Sequence, residues 1–202
     1  MTKILLYIAI LLLAYLMGCS NMALYLSRYK GVDLRAAGSK NLGASNAMVL
    51  MGWGPGVIVA VHDIGKALLA VVLARHFGQG LPFIAAAAGV ACVLGHMFPF
   101  FLRFRGGKGF ATFVGMTLGM HWQFFLGLVI VVALITLFSG YIVFGTLLSI
   151  TAYPVYVFFM DGAWIPMMII AVASLAMLYR HRENFKRLRE MKEMKLDLFH
   201  RK

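Results

Sequence analysis

The chain has 202 residues, of which 62% are hydrophobic and only 13% are charged, and its mean hydropathy is +0.86. A soluble domain carries about 25% charged residues, so this composition excludes one and indicates an integral membrane protein. The formal net charge of +12 does not indicate a nucleic-acid partner, because the basic residues lie in three short segments between apolar runs.

Long apolar runs divide the chain, and they lack the alternation of a β-strand. They therefore predict an all-α, polytopic membrane helix bundle rather than a barrel. A helix needs about 20 residues to cross the hydrocarbon core. The candidate spans are residues 4–26, 56–74, 81–101, 110–121, 124–138, 141–160 and 164–178. Because the fourth run is short, two counts stay open: seven transmembrane helices, or five if some are partial.

The basic residues predict the orientation of the chain. They are concentrated at 28–40, at 103–108 and from Arg180 onward. Basic loops face the cytoplasm, and an odd number of spans places the termini on opposite sides. We therefore expect the N-terminus outside, the C-terminus in the cytoplasm, and the three basic segments together in one cytoplasmic site.

The whole chain, residues 1–202, is predicted to be one integral membrane domain. Its last part, residues 179–202, is predicted to be a cytoplasmic amphipathic tail that lies on anionic lipid headgroups. The apolar residues that recur there at helical spacing are Phe185, Leu188, Met191 and Leu198.

The first polar segment, residues 38–46, is dense in small and amide side chains just before a span. Such a segment forms either the N-terminal cap of a helix, which is the simpler interpretation, or a cradle for an anion. The candidate binding residues in it are Ser39, Asn41, Gly43, Ser45 and Asn46.

Ionisable residues occur within the second span. Asp63 and Lys66 are three residues apart, so they share a helix face and neutralise one another as an ion pair. Unpaired charges inside a membrane are costly, and such residues by default mark a functional interior. A structural pair that braces a neighbouring loop is an equal alternative, and His62 is interpreted as a satisfied buried imidazole.

The second polar segment, residues 104–109, places Gly106, Gly107 and Gly109 around Lys108. Residues without side chains let backbone N–H groups approach an anion, and the lysine adds a full charge. This pattern indicates a phosphate-bearing substrate at the bilayer surface. It is not a nucleotide P-loop, because Gly109 stands where that motif needs Ser or Thr. The alternative is a tight turn whose cations, including Arg105, only orient the span.

The third polar segment follows the last apolar run. His181 and Asn184 are three residues apart and face the same way, and His181 is suited to act as a general base or as a hydrogen-bond donor. Arg182 either binds phosphate or lies among lipid headgroups. We find no convincing Ser-His-Asp arrangement in the sequence and no metal-ligand spacing, so no metal and no cofactor are expected.

Together these segments resemble the PlsY family, small multi-pass bacterial glycerol-3-phosphate acyltransferases that use acyl phosphate as donor. The first motif of that family is matched by Gly38, Ser39, Asn41, Leu42, Gly43, Ala44, Ser45 and Asn46. The second is matched by Gly95, His96, Pro99, Phe101, Phe104, Arg105, Gly106, Gly107, Lys108, Gly109, Ala111 and Thr112. The third is matched by His181, Arg182, Asn184, Arg187 and Leu188. The likeness covers essentially the whole chain.

The resemblance implies transfer of a fatty acyl group from acyl phosphate to the 1-hydroxyl of sn-glycerol 3-phosphate, giving lysophosphatidic acid and phosphate at the cytoplasmic face of a bacterial inner membrane. It implies membrane lipids as surroundings and a soluble enzyme that produces acyl phosphate as a candidate partner. The implied catalytic residues are Lys108, His181 and Asn184. The implied phosphate and substrate contacts are Ser39, Asn41, Gly43, Ser45, Asn46, His96, Arg105, Gly106, Gly107, Gly109 and Arg182.

Alternatives remain open at this stage. One is a membrane carrier for a phosphorylated solute, and another is an acyltransferase whose donor is acyl-CoA or acyl carrier protein. A divergent paralogue with a changed acceptor is a third, because Val49 stands where the family usually has arginine and Val143 where it has serine. The family also has a glycine at the position of Met191.

Overall fold

The computed structural model describes residues 2–195, and within that range the regular structure is entirely helical. The helices are α1 Thr2–Cys19, α2 Met22–Lys30, α3 Ala44–Met51, α4 Trp53–Phe77, α5 Ile84–Met97, α6 Phe110–Met120, α7 Trp122–Ser139, α8 Ile142–Asp161, α9 Trp164–Arg180 and α10 Arg182–Arg189. A short 3-10 helix, Phe100–Leu102, follows α5. The prediction of an all-α membrane protein is confirmed.

By length and composition, five segments are able to cross a membrane. They are Thr2–Lys30, Trp53–Phe77, Ile84–Leu102, Trp122–Ser139 and Ile142–Asp161. Helices α9 and α10 add a sixth if the two, bent by 41°, are counted as one broken span. Helix α6 has 11 residues, or about 17 Å of rise, which is shorter than the hydrocarbon core.

The chain divides into two compact units, residues 2–120 and residues 121–195. In the first unit α1 packs on α5, and α4 packs on α6. Glycine allows the backbones to approach, since a Cβ on Gly115 of α6 would clash with the carbonyl of Ile64 in α4. Small residues at helix contacts are the usual means of close packing in membranes. This packing fixes the ends of α5 and α6. The second polar segment, residues 104–109, runs between them and is called the glycine loop below.

The polar segment before α3 is held against the same unit by apolar side chains. Leu34 and Leu42 are buried, at 0% and 2% exposure, in a cluster with Ala47 of α3 and Val59 of α4. Burying a leucine side chain is worth about 2 kcal/mol. The loop is therefore anchored at two points, with Ser39 and Asn41 between them.

The second unit contains α7 to α10. Pro154 lies inside α8 and cannot donate to the carbonyl of Ile150, four residues earlier. The hydroxyl of Ser174 in α9 donates to that carbonyl at 2.6 Å instead. A backbone group freed by proline in an apolar medium needs such a partner. This bond explains how α8 keeps a proline in a membrane-spanning segment.

The tail differs from its prediction. Helix α10 ends at Arg189, and Met191 has a φ of 54°, in the left-handed region. The N–H groups of Met191 and Lys192 donate to the carbonyls of Leu188 and Arg187, at 3.1 and 2.8 Å. This is a Schellman turn, which reverses the chain. The amphipathic helix expected for the tail is therefore wrong over residues 190–195, and Leu198 with the rest of 196–202 lies outside the described residues.

Candidate active site

The polar loop before α3 is organised by one side chain, that of Asn46. Its Oδ1 accepts the N–H of Ser39 at 2.9 Å, and its Nδ2 donates to the carbonyls of Leu34 and Asn41 at 2.9 and 3.1 Å. Asn46 is 1% exposed. Its amide therefore holds the loop backbone, which gives Asn46 a structural role, and its assignment to phosphate binding stays a prediction.

The other candidate residues of this loop surround the start of α3. Ser39, Asn41, Gly43 and Ser45 are all half-buried. Gly43 is the N-cap residue and makes no side-chain cap bond. The segment therefore contains the N-cap of α3, as the simpler interpretation expected, although the cap is made without a side-chain hydrogen bond. The N-terminal amides of a helix are suited to an anion, so this end of α3 keeps the cradle interpretation open.

The glycine loop folds back under the end of α5. The N–H of Gly106 donates to the carbonyl of Met97 at 3.0 Å, and that of Gly107 to the carbonyl of His96 at 3.2 Å. A Cβ on Gly106 would clash with the His96 carbonyl, and one on Gly107 with His96 Nε2. The two glycines are thus required for close packing. Both amides are used within the chain, and the assignment of Gly106 and Gly107 to substrate binding stays a prediction.

The loop ends at the N-terminus of α6. Gly109, with a φ of 89°, accepts the N–H of Phe113 at 2.8 Å and so begins the helix. Lys108 before it is half-buried, and Arg105 is exposed. Thr112, in the first turn, is 0% exposed, and its hydroxyl has no hydrogen-bond partner in the part of the chain that the structure describes. A helix N-terminus next to a lysine is suited to a phosphate.

The two loops meet within the first unit. A Cβ on Gly107 would lie 2.8 Å from the carbonyl oxygen of Leu42, as well as against the ring of His96. The first and second sequence motifs, about 60 residues apart, are therefore adjacent in space. Both lead directly into helix N-termini, those of α3 and α6.

A buried ion pair lies behind the glycine loop. Lys66 Nζ lies 2.7 Å from Asp63 Oδ1, and both side chains are almost completely buried. Lys66 also contacts Nδ1 of His96 at 2.9 Å and donates to the carbonyl of Ser20 at 2.6 Å. The pair thus contacts the break between α1 and α2 as well as the end of α5. His96 is 3% exposed and belongs to this cluster.

The outer side of the cluster contains a hydrogen-bonded series that the sequence analysis missed. The hydroxyl of Ser20 lies 3.0 Å from Nε2 of His62, whose Nδ1 lies 3.3 Å from Asp63 Oδ1. The series has the residue types of a nucleophile, a base and an orienting carboxylate. Lys66 already neutralises Asp63, so the carboxylate is not available to stabilise an imidazolium. We describe the series as part of the buried cluster.

The third motif belongs to the second unit. His181 is 4% exposed, and its Nδ1 donates to the carbonyl of Met177 at 2.7 Å. The Nδ2 of Asn184 donates to Glu193 Oε1 at 2.7 Å, and the other oxygen of Glu193 pairs with Arg187 at 2.8 Å. Sequence reasoning missed Glu193, because only the turn at Met191 returns it to Asn184.

Arg182 is separated from its two neighbours in the motif. It is exposed, and its guanidinium lies 4.2 Å from the ring centre of Tyr179. His181 and Asn184 are buried. The structure therefore does not bring Arg182 together with these two residues, which favours the alternative that it interacts with headgroups. Of the two departures from the family, Val49 is 52% exposed on α3 and Val143 is 3% exposed in α8.

Comparison with solved structures defines the class of protein. The fold matches the crystal structure of PlsY, an integral membrane glycerol 3-phosphate acyltransferase, in its glycerol 3-phosphate form, with a TM-score of 0.87 and 31% identity. The match covers 94% of this chain and 95% of that one. The lysophosphatidic acid form of PlsY matches with a TM-score of 0.83 and 30% identity. The class is that of integral membrane acyltransferases.

Sequence comparison then gives the family. The family model for glycerol-3-phosphate acyltransferase matches residues 8–191. A glycerol-3-phosphate acyltransferase of Thermus thermophilus is 37% identical over 192 residues, which is 92% of this chain and 93% of that protein. That of Geobacter sulfurreducens is 36% identical over 177 residues, or 88% and 91%. The chain belongs to the glycerol-3-phosphate acyltransferase family, which confirms the resemblance found in the sequence.

Proposed function

We propose that this protein transfers a fatty acyl group from acyl phosphate to the 1-hydroxyl of sn-glycerol 3-phosphate, producing lysophosphatidic acid and inorganic phosphate. The observation that carries the proposal is the contact between the two loops, in which Gly107 packs against the carbonyl of Leu42. Two adjacent loops that each lead into a helix N-terminus are suited to hold two phosphate groups side by side.

The phosphates of donor and acceptor repel each other unless positive groups separate and hold them. Lys108, the N-terminus of α6 and the exposed Arg105 supply positive charge at the glycine loop. The half-buried side chains of Ser39, Asn41 and Ser45, with Gly43 as N-cap, supply polar contacts at the other loop. The acyl chain of the donor remains among the apolar helices while its head lies at the interface.

The neighbouring structures support this choice of acceptor and product. PlsY was crystallised in a glycerol 3-phosphate form and in a lysophosphatidic acid form. These two compounds differ by one acyl group on one hydroxyl. Extending them to this chain makes glycerol 3-phosphate the acceptor and lysophosphatidic acid the product.

The reaction is one acyl transfer. The 1-hydroxyl oxygen attacks the acyl carbon, the bond from that carbon to the phosphate oxygen breaks, and phosphate leaves. The hydroxyl proton passes to a substrate phosphate or to Nε2 of His181. Because Nδ1 of His181 donates to a carbonyl, the neutral ring has its lone pair on Nε2. Asn184 orients the hydroxyl or a phosphate.

An acyl phosphate is already an activated anhydride, so the transfer does not require a covalent enzyme intermediate. Catalysis then rests mainly on positioning and on charge stabilisation. Holding two reactants in a productive geometry lowers a barrier by about 7–11 kcal/mol at best. A contribution of this size explains how lysine, amide and imidazole groups are sufficient to catalyse the acyl transfer.

The orientation in the membrane is part of the same proposal. We place the site at the cytoplasmic face of the bacterial inner membrane, with an odd number of spans (seven, or five if some are partial), the N-terminus outside and the C-terminus inside. The support is the distribution of basic residues at 28–40, at 103–108 and from Arg180 onward. A cytoplasmic site is accessible to a soluble enzyme that delivers acyl phosphate.

The test uses purified protein in detergent with palmitoyl phosphate and glycerol 3-phosphate, followed by measurement of phosphate release and lipid product. Palmitoyl-CoA and palmitoyl acyl carrier protein are supplied in parallel as donors. We expect stoichiometric phosphate and lysophosphatidic acid with palmitoyl phosphate alone. If product forms only from a thioester, the proposal that acyl phosphate is the donor is wrong. If proteoliposomes take up glycerol 3-phosphate without forming product, the proposal that the protein is an acyltransferase is wrong.

A further inference from the structure

Ser20, at the break between α1 and α2, and His62 of α4 form a hydrogen-bonded pair that the acyl transfer proposed above does not use. Oγ of Ser20 lies 3.0 Å from Nε2 of His62, and Nδ1 of His62 lies 3.3 Å from Oδ1 of Asp63. Because a carboxylate only accepts hydrogen bonds, Nδ1 of the neutral ring carries the proton and Nε2 has the lone pair. The hydroxyl of Ser20 therefore donates to Nε2, as a serine nucleophile does to its base.

Asp63 orients the ring of His62 but does not balance a positive charge on it. Its Oδ1 also lies 2.7 Å from Nζ of Lys66 and 3.5 Å from Nδ1 of His96. The ammonium group of Lys66 neutralises the carboxylate, so the aspartate gives an imidazolium less support than in a full catalytic triad. We therefore expect Ser20 to react slowly, and a covalent adduct to be easier to detect than turnover.

The pair is accessible from the lipid side of the first unit. The side chain of His62 is 22% exposed, and Ser20 is half-buried. Helix α1 has 18 residues and rises about 27 Å, close to the thickness of about 30 Å of the hydrocarbon core. Ser20 directly follows this helix and so lies near the edge of the core, where both a lipid substrate and water are present.

An apolar groove runs along the contact between α1 and α4 and ends next to this pair. Its walls include side chains of both helices, among them Ala14, Met17, Ala70 and Ala74. Met17 is three residues before Ser20, and Ala70 is four residues after Lys66, whose ammonium donates to the carbonyl of Ser20 at 2.6 Å. An alkyl chain in this groove has its head group at Ser20, so the compound that fits is a long-chain acyl derivative.

Donors for the negative charge of a tetrahedral intermediate follow Ser20 directly. Helix α2 begins at Met22, and the first N–H groups of a helix have no partner within it. Asn21 is 1% exposed, and its Oδ1 caps the helix by accepting the N–H of Leu24 at 2.9 Å. Its Nδ2 is buried and has no hydrogen-bond partner within the described range. An oxyanion on the carbon that Ser20 attacks supplies an acceptor for such donors.

We propose that Ser20 and His62 form a second reactive site, which hydrolyses long-chain acyl phosphate through an acyl-serine intermediate. Oγ of Ser20 attacks the acyl carbon, its proton passes to Nε2 of His62, and the bond to the phosphate oxygen breaks. Water then attacks the ester carbon, Oγ of Ser20 leaves and regains its proton, and a fatty acid is released. The inference rests on the proposed function only for its substrate, and its residues are separate from Lys108 and His181.

The reactivity of Ser20 is tested with a long-chain alkyl fluorophosphonate, which forms a bond from phosphorus to a nucleophilic serine oxygen and releases fluoride. The purified protein is treated in detergent, and the modified residue is identified by mass spectrometry of peptides. We expect an adduct on Ser20, reduced about tenfold or more in His62→Gln, which lacks the base. No adduct on Ser20 of the wild-type protein, or an equal adduct in folded His62→Gln, overturns the proposal.

Two matched substitutions are the controls, and both should leave the adduct on Ser20 unchanged. Ser139→Ala removes a half-buried serine whose hydroxyl donates to the carbonyl of Ile135 at 2.6 Å. His76→Gln changes an exposed histidine at the end of α4. Loss of the adduct in either control, with folding unchanged, overturns the assignment of the reaction to the Ser20–His62 pair.

The activity itself is measured as release of palmitate from palmitoyl phosphate in the absence of glycerol 3-phosphate. We expect Ser20→Ala to lower this hydrolysis about tenfold or more and to leave acyl transfer to glycerol 3-phosphate unchanged. Unchanged hydrolysis, or an equal loss of hydrolysis and transfer, overturns the second site while the proposed function stands. Absence of acyl transfer in the wild-type protein overturns the proposed function, and the adduct on Ser20 still decides the inference.

Discussion

The imidazole of His181 donates from Nδ1 to the backbone carbonyl of Met177, one turn earlier in α9, at 2.7 Å. This bond orients the ring and leaves Nε2 as the acceptor in the neutral state. The same side chain thus has one nitrogen with a structural bond and a second nitrogen to which we assign the proton transfer. The two are separable by substitution.

His181→Asn should keep the bond to Met177 and remove Nε2. We expect kcat to fall about 100-fold, the lower end of the contribution of a positioned proton-transfer group, with the thermal unfolding midpoint unchanged. His181→Ala, which also loses the structural bond, should lower both. Steady-state kinetics and thermal unfolding are the measurements, and an unaltered kcat in His181→Asn would contradict the role given to Nε2.

Asn46 should behave as a structural residue. Asn46→Ala leaves the carbonyls of Leu34 and Asn41 and the N–H of Ser39 without their partner. Unpaired buried groups cost about 1–3 kcal/mol each, so the free energy of unfolding should fall by about 3 kcal/mol and activity with it. Ser39→Ala is the comparison. Ser39→Ala should raise the KM for glycerol 3-phosphate with little change in stability. If instead Ser39→Ala lowers stability and Asn46→Ala raises only the KM, Ser39 is the structural residue and Asn46 the binding residue.

The buried hydroxyl of Thr112 at the start of α6 gives a separate test of the phosphate site. Thr112→Val keeps the shape and removes a buried oxygen that has no hydrogen-bond partner among residues 2–195, so stability should be equal or slightly higher. If the hydroxyl contacts a substrate oxygen, the KM should rise by about tenfold, corresponding to about 1.4 kcal/mol. Unchanged kinetics would exclude Thr112 from the site.

Met191 occupies a left-handed turn position, with a φ of 54°, and the family resemblance places a glycine there. A side chain in that conformation costs about 1–2 kcal/mol, and glycine loses about 0.5–1 kcal/mol more backbone entropy on folding. Met191→Gly should therefore stabilise the protein by about 1 kcal/mol, measured as a higher unfolding midpoint. Met191→Ala keeps the strain and should not stabilise. Equal midpoints for the two variants would show that strain at this turn has no measurable cost.

The sequence predicted what depends on local pattern. Apolar runs indicated the helices, and the spacing of Asp63 and Lys66 indicated the ion pair, because residues three apart on a helix are neighbours. Helix α6 and the interruption after Met120 were also visible in the pattern. The count of spans was not predictable, since a run of 11 residues is compatible with more than one placement.

Contacts between residues distant in sequence could not be predicted from the local sequence pattern. Nothing near His96 in the chain indicates that Lys66, 30 residues earlier, lies 2.9 Å from its Nδ1. Asn46 and Ser45 look equivalent in the motif, yet only the fold shows that the amide of Asn46 is used by the backbone of its own loop. The sequence assigned Gly106 and Gly107 to anion binding. It gave no sign that their amides donate to carbonyls of α5, because those carbonyls lie in another element.

The claim that everything else requires is that the glycine loop holds a substrate phosphate through Lys108. The most direct measurement is kcat/KM for acyl transfer from palmitoyl phosphate by Lys108→Ala, beside Lys30→Ala, a control that removes an exposed cation from the end of α2. We predict a loss of about 100-fold or more for Lys108→Ala, as for removal of a charge-stabilising donor, with an unchanged unfolding midpoint and an unaffected control. Full activity in folded Lys108→Ala protein would contradict the account.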